Sequence, residues 1–535
     1  MNYSNAAEKD IGARTDRMGA LTARRAVICG LIATAGAMRL VGLGTKSLWV
    51  DEVHSTFVAE TLDQILEYCL GGHTPPLRYI LVWALQQSRY PEFAIRLPAA
   101  VFGALSIPLM LWLGEMLGHR RAGIVAAILL LLSPWHLLHS QDARYYAVIL
   151  FFALAALGLA IRIVQDPQPV WRWIVLAVVC ALSLYISYVA VLSVGAVVGY
   201  LLVCLVLGSA RQLTRTDTDR RTRTRMMLAR VGLAALVGIL ILSPWCVLLL
   251  IARYTGNAPT PSPEAAASAR PATTILQPPI QWGTPFNRAY ADDFLAKLGL
   301  EQPAAAKWLL LALFALGLVK SVRRDPSLAI LAVLWFVMPW ALILNSASLS
   351  QFCPPRYMIH YLGLYVLMAA IGAVAAWDLA SRLLARLSPS GLRKAIAFGI
   401  VTVIVAALTA YGREDLRYFR SEKQDWKSAA AFLDQNVGNS DAVLAGGFWT
   451  PLGLIYYGSR LTKPINLVPG SVTAERIERE IAIYARVWYV TWGPIPADVA
   501  RLLLRSFEKA REFPGLNGNI LIYRSKPKAK ADDGG

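Results

Sequence analysis

The chain has 535 residues, 56% of them hydrophobic and only 16% charged, against roughly 25% charged in soluble domains. That balance excludes a soluble enzyme and a disordered chain. Six cysteines over this length exclude a secreted disulfide scaffold, which leaves a polytopic membrane protein. The net charge of +19 falls in short connections between apolar runs, not beside clustered aromatics, so it argues for membrane topology and against nucleic-acid binding.

Residues 1–25 read as a basic cytosolic N-terminus: polar, mixed in charge and without a signal-type cleavage site before the first apolar run. Apolar runs long enough to cross a bilayer follow near 26–44, 94–117, 122–139, 145–164, 171–187, 189–209, 228–251, 307–321, 327–345, 357–377 and 394–410, about eleven spans in all. A further apolar stretch, 76–85, is shorter, opens with Pro75-Pro76 and carries Arg78. Its placement decides the topology. Four connections are basic: His119-Arg120-Arg121; 211–230, with seven arginines against two aspartates; Lys320 with Arg323 and Arg324; and 382–394. If 76–85 lies along the outer interface, all four fall in the cytosol, as positive loops should; if it crosses, all four fall outside. The first option sets the N-terminus inside. It turns the loop 45–93, the turn 140–144, the long loop 252–306, the turn 345–356 and everything after 411 to the outer side. The spacing thus predicts a transmembrane domain over 26–410 with outer juxtamembrane helices.

From 411 to 525 the composition is that of a small soluble α/β domain. Periodicity predicts helices at 424–435, 474–485 and 496–507 and strands at 441–444, 486–491 and 519–524, and 526–535 reads as a solvated tail. Cys29, Cys180, Cys204 and Cys246 lie in spans as small apolar filler. Cys69 and Cys353 face outward, and whether they pair is not fixed by sequence.

Candidate chemistry gathers on the outer side. Ser47-Leu48-Trp49-Val50-Asp51-Glu52 places a carboxylate pair just past the first span. Leu48 and Trp49 there read as an interfacial anchor that would hold the pair near the membrane, where a carboxylate is tuned by partial desolvation. His73 stands beside the rigid Pro75-Pro76 turn. Glu92 and Arg96 are spaced to pair across a helical turn. Asp142 and Arg144 lie where one span ends and the next begins, within His139-Ser140-Gln141-Asp142-Ala143-Arg144-Tyr145-Tyr146. A cation at a helix start opposes the helix dipole and needs an anion, either Asp142 or a bound phosphate. Arg356-Tyr357 repeats this Arg-Tyr pattern, and His360, one turn on, also reads as a core histidine. Two arginines on one side can fork onto a single phosphate. No thiolate zinc spacing, nucleophile elbow or Walker lysine loop is present, so the energy of group transfer would arrive stored in an outer-leaflet donor.

The order of these motifs resembles the GT-C glycosyltransferases of the protein-mannosyltransferase-like class, which includes the lipid-A aminoarabinose transferases and the rhizobial galacturonosyltransferases. The motifs are the carboxylate pair, His-x-Pro-Pro-Leu from His73, Arg96-Leu97-Pro98, Ser-Gln-x-x-Arg-x-Tyr from Ser140, and Lys423-Gln424-Asp425-Trp426-Lys427-Ser428-Ala429. The likeness is strongest over 45–150. It departs near Ser187, where many relatives place a histidine.

The resemblance implies a sugar on a polyprenyl phosphate as donor, a lipid, glycan or protein hydroxyl as acceptor, and inversion. It implies Asp51 as general base, Glu52 orienting the acceptor or shaping the field around Asp51, and Asp142 contacting sugar or acceptor or sharing a metal. Arg144, Tyr145, Arg356, Tyr357 and His73 would bind the departing phosphate. A divalent metal, held through Asp51, Glu52 and Asp142, is allowed but not demanded. Two other classes compete: a polymerase or ligase of lipid-linked glycans, which the arginines at 253, 270 and 288 of the long loop permit, and a lipid or solute transporter. Transport would call for midplane charges and inverted repeats, and the sequence offers neither.

Overall fold

The computed structural model describes residues 22, 25–71, 74–211, 217–255, 294, 304–345, 354–387, 415–446, 449–458 and 473–527. It is a polytopic helical membrane protein with a small C-terminal α/β domain. The chain divides into two compact units. The first comprises Met1–Val41, Leu97–Pro244 and Gly283–Asp415, and the second Gly42–Arg96, Trp245–Trp282 and Leu416–Gly535.

In the first unit a helix over 25–40 (α1) covers the first expected span. Five helical segments among the described residues are long and apolar enough to cross a membrane: Pro91–Met116, Tyr146–Gln165, Tyr188–Val206, Arg225–Tyr254 and His360–Leu383. A sixth candidate is the broken pair Arg120–Leu131 and Pro134–Ser140, bent by 64°. The break has a local cause. Pro134 cannot continue the preceding helix, and Ser133 caps the new one by accepting from the His136 N–H at 3.3 Å. Two further expected spans appear as shorter apolar helices, Val170–Ile186 and Ser327–Ile343, and 307–321 lies within Ala304–Arg324. The expected span 394–410 lies outside the described residues, as does most of the loop 252–306. Ala304–Arg324 and His360–Leu387 pack backbone to backbone: a Cβ at Gly317 would meet the Met368 carbonyl, and one at Gly372 the Leu313 carbonyl.

In the second unit the helices Val50–Val58 (α2), Leu62–Leu70 (α3) and Leu77–Gln86 (α4) follow one another. The stretch 76–85 thus forms a helix of 10 residues, about half of what a bilayer crossing needs. Cys69 is buried in α3 as a free thiol, its pKa pushed up to about 12 by burial; Cys353 lies outside the described residues.

The C-terminal part of this unit builds a four-stranded sheet in the order β1-β2-β4-β3, from Asp441–Gly446, Arg486–Trp492, Phe507–Phe513 (β3) and Ile520–Ser525 (β4). β1 and β2 run parallel and the other pairs antiparallel. Strand alternation sends Val443, Ala445, Trp488 and Val490 into one core with Trp426 and Leu433, and Ala442, Leu444, Val487 and Tyr489 into another with Ile477 and Leu502. The helices Trp426–Asn436 and Thr450–Tyr457 therefore cover one face, and Ala474–Ile483 and Ala497–Ser506 the other. The six elements read from periodicity are all present. The helix Thr450–Tyr457 and strand β3 are additions.

Candidate active site

The expected site residues fall into two groups, one in each unit. In the second unit Asp51 is the second residue of α2, where its charge suits the helix dipole, and it is half-buried. Its neighbour Glu52 is 0% exposed and faces Arg96, itself 2% exposed. Arg96 donates from Nε to Glu52 Oε1 at 2.7 Å and from Nη2 to Oε2 at 2.5 Å. Its remaining donors reach the carbonyls of Leu43, Lys46 and Ser47 at 3.0, 3.0 and 2.9 Å. All five guanidinium hydrogens are thereby used. Glu52 Oε2 also accepts from the Trp49 N–H at 3.3 Å. Both Glu52 oxygens are thus engaged in shaping the entry to α2. The spacing expectation of a Glu92–Arg96 pair is not met: Arg96 turns to Glu52, and Glu92 pairs with Lys427 at 2.9 Å. Leu48 and Trp49, expected as an interfacial anchor, are buried within the protein, because the C-terminal segment folds over them.

That segment is tied to the loop before Asp51 at several points. Ser47 N–H donates to Glu422 Oε2 at 2.9 Å, Leu48 N–H to the Tyr457 hydroxyl at 2.7 Å, and Val50 N–H to Gln424 Oε1 at 2.9 Å. Lys46 Nζ donates to the Tyr418 carbonyl and lies 3.7 Å from the centre of its ring. Burial pulls the Lys46 ammonium down to about 8, against the pull of Glu422. Burial raises the Glu422 carboxyl, opposed by the Ser47 N–H.

In the first unit the residues around 140 form a tight corner. Ser140 Oγ donates to the His136 carbonyl at 2.6 Å, and Gly103 packs against Ser140 where no Cβ would fit. Gln141 Nε2 donates to the carbonyls of Met38, Arg39 and Val41 at 3.2, 3.1 and 2.9 Å, closing the C-terminal end of α1. Asp142 is buried. Its Oδ1 accepts the Arg144 N–H at 3.0 Å, and its Oδ2 lies 3.5 Å from His139 Nδ1. Tyr145 adopts φ 60° as the N-cap of Tyr146–Gln165, the one non-glycine residue with positive φ among those described. Such a conformation costs on the order of 1–2 kcal/mol and sets Arg144 immediately ahead of the helix.

Arg356 joins this corner: its Nε donates to the Tyr146 hydroxyl at 3.2 Å. The Tyr146 ring lies 4.9 Å from His139 and 6.1 Å from Tyr357. Asp142, Arg356 and Tyr357 thus gather around His139 and Tyr146, with Arg144 and Tyr145 in the turn just before Tyr146. His360 is buried among Tyr361 and Trp335, a core histidine. Ser187, at the departure from the family pattern, accepts the Val189 N–H at 3.4 Å. His73 lies outside the described residues.

The corner supplies two guanidiniums at the starts of two apolar helices, where the backbone dipoles also favour an anion. The first unit thus holds Arg144 and Arg356 just ahead of two apolar helices, and the second a half-buried carboxylate at Asp51. Among the described residues no three His, Cys, Asp or Glu side chains gather to hold an ion, and both Glu52 oxygens accept from Arg96. His139, Tyr146 and Gln424 were not among the expected site residues, although each stands inside a motif that the sequence displays.

A family model for dolichyl-phosphate-mannose-protein mannosyltransferase matches residues 73–216. This stretch holds the Asp142–Tyr145 turn but neither Asp51 nor Arg356. No curated protein sequence matches the chain. Among solved structures it is similar to ArnT from Cupriavidus metallidurans in the apo state, at 13% identity and TM-score 0.53, covering 94% of this chain and 98% of that one. The same protein bound to undecaprenyl phosphate matches at 14% identity and TM-score 0.51, covering 93% and 97%. At such identities the likeness establishes the fold. The chain has the polytopic membrane fold of ArnT, and over residues 73–216 it is similar to the dolichyl-phosphate-mannose-protein mannosyltransferase family.

Proposed function

We propose that the protein moves a monosaccharide from a polyprenyl-phosphate carrier to an acceptor hydroxyl at the periplasmic face of a bacterial inner membrane. The acceptor oxygen bonds to the anomeric carbon with inversion, while the bond from that carbon to the phosphate oxygen breaks and its electron pair leaves on the lipid phosphate. Asp51 takes the hydroxyl proton as general base. Arg144 and Arg356, with Tyr145, Tyr357 and His73, stabilise the charge growing on the phosphate. Asp142 orients Arg144 through its backbone N–H and faces the sugar or acceptor. Glu52 acts through Arg96, by shaping the helix that carries Asp51.

The observation that supports this reading is that Arg356 reaches the hydroxyl of Tyr146, the first residue of the helix that Arg144 and Tyr145 precede. Binding of undecaprenyl phosphate by the structurally similar ArnT supports the donor class.

The test uses the full chain in nanodiscs with a panel of undecaprenyl-phosphate monosaccharides and lipid, glycan and peptide acceptors, scoring released undecaprenyl phosphate. Release from one monosaccharide donor is expected. Asp51→Asn should lower turnover by roughly 10²–10⁴ with donor binding kept. Release only from carriers bearing oligosaccharides would overturn the single-sugar reading, and full turnover by Asp51→Asn would remove the base.

A further inference from the structure

The motif Lys423-Gln424-Asp425-Trp426 has no role in the reaction above, yet Gln424 is 0% exposed and sits against the helix that carries Asp51. Its Oε1 accepts two hydrogen bonds, from the Val50 N–H at 2.9 Å and from Trp426 Nε1 at 2.8 Å. Val50 is the first residue of α2, so its N–H has no acceptor within the helix. The residue after it is Asp51. Gln424 thus ends the first turn from outside, and Trp426, itself fully buried in the sheet domain's core, holds the amide oxygen in place. Glu422 and Tyr457 hold the N–H groups of Ser47 and Leu48 in the same way. Three backbone donors of the approach to Asp51 are therefore satisfied by side chains from the C-terminal segment. None is left to a flexible loop or to water.

We infer that Gln424 is a positioning residue for Asp51, and that the C-terminal domain sets the geometry of the base through it. The inference rests on the reading of Asp51 as general base. A base must stay within hydrogen-bond reach of the acceptor hydroxyl, and a displacement of about 1 Å costs on the order of 100-fold in rate. Freeing the Val50 N–H lets the first turn of α2 fray, which moves Asp51 and leaves the phosphate-binding corner of the first unit as it was. The signature is a fall in kcat without a change in the KM for donor.

The test compares Gln424→Met and Gln424→Glu in the full chain, with the panel donor that turns over fastest. Gln424→Met keeps the volume and loses the acceptor. It should lower kcat by about 10- to 100-fold with the donor KM unchanged, and speed amide exchange at 50–53 alone. Gln424→Glu keeps the acceptor oxygen and adds a negative charge beside the turn. It should keep the wild-type exchange pattern and move the acidic limb of the kcat–pH profile upward, since a nearby like charge raises a carboxyl pKa.

A wild-type kcat in Gln424→Met, or exchange faster throughout the C-terminal domain together with equal losses in kcat and KM, overturns the inference. Should the Met variant not fold, Gln424→Glu decides alone, and an unmoved acidic limb overturns it. Full turnover by Asp51→Asn sinks the base and this inference together. An inactive Asp51→Asn beside a fully active Gln424→Met sinks only the inference.

Discussion

Glu52 and Arg96 illustrate what a buried charge pair demands of its surroundings. A desolvated guanidinium is tolerated only when its charge and all five hydrogens are met, and here one carboxylate and three carbonyls meet them. Glu52→Gln leaves the arginine charge uncompensated and should cost about 3–5 kcal/mol, read as a lower denaturation midpoint in detergent. Arg96→Lys should cost a similar amount, because an ammonium offers three donors without the planar fork. A loss below the level of ordinary surface substitutions, about 0.5 kcal/mol, in both variants would contradict this account.

Lys46 makes a prediction of opposite character. Its ammonium falls from 10.5 to about 8 on folding, so below pH 8 both folded and unfolded chains carry the proton and the cost of burying the charge is fully present. Between about 8 and 10.5 the unfolded chain holds more protons, and stability contributed by this residue rises with pH. The melting temperature of the wild type minus that of Lys46→Met should therefore increase from pH 7.5 to pH 10. A flat difference would refute the burial assignment. The carboxylate pair at 51 and 52 was legible in the sequence itself. The partner of Arg96 was not, because helical spacing favours Glu92 and cannot register a contact 44 positions away.

Among the elements, those set by local pattern were legible and those set by packing were not. The C-terminal helices follow an amphipathic period of 3.6 and the strands β1, β2 and β4 are short apolar runs, so these elements could be read within a few residues. Strand Phe507–Phe513 escaped because its sequence, Phe-Glu-Lys-Ala-Arg-Glu-Phe, is charged at its centre, and its place at the sheet edge leaves those side chains in solvent. The close approach of Ala304–Arg324 to His360–Leu387 depends on glycines that, in sequence, look like any others in an apolar run. Gly372→Ala forces a methyl group against the Leu313 carbonyl and should cost about 1–3 kcal/mol. Gly232→Ala, with nothing within 4 Å of its new carbon, should be neutral or stabilising by up to about 1 kcal/mol. Equal melting temperatures for the two alanine variants would show that the helices are not in backbone contact.

At the level of the whole molecule, chain order hides the partition. Read linearly, 45–93 is a loop of a transmembrane domain and 411–525 a separate appendage. In space the stretches 42–96 and 416–535 share one compact unit. No periodicity could reveal this, because the bonds that join Lys46, Ser47, Leu48 and Val50 to the C-terminal segment span 372 to 409 positions and each involves a single side chain. The consequence is a shared fate. With the chain ended after residue 415, the N–H groups of Ser47, Leu48 and Val50 lose Glu422, Tyr457 and Gln424, and each unsatisfied buried donor costs about 1–3 kcal/mol. Leu48 and Trp49 lose their cover as well. Such a truncated chain should keep the protected amides of Tyr146–Gln165 and His360–Leu387, whose packing lies in the first unit, while residues 46–53 exchange as fast as an unfolded peptide and turnover disappears. Hydrogen exchange on the truncated chain in nanodiscs measures both halves of this expectation. Retained protection at Ser47, Leu48 and Val50 would mean that the loop folds without its C-terminal partner, and the C-terminal domain would then have to act on substrate by some other route than by shaping the approach to Asp51.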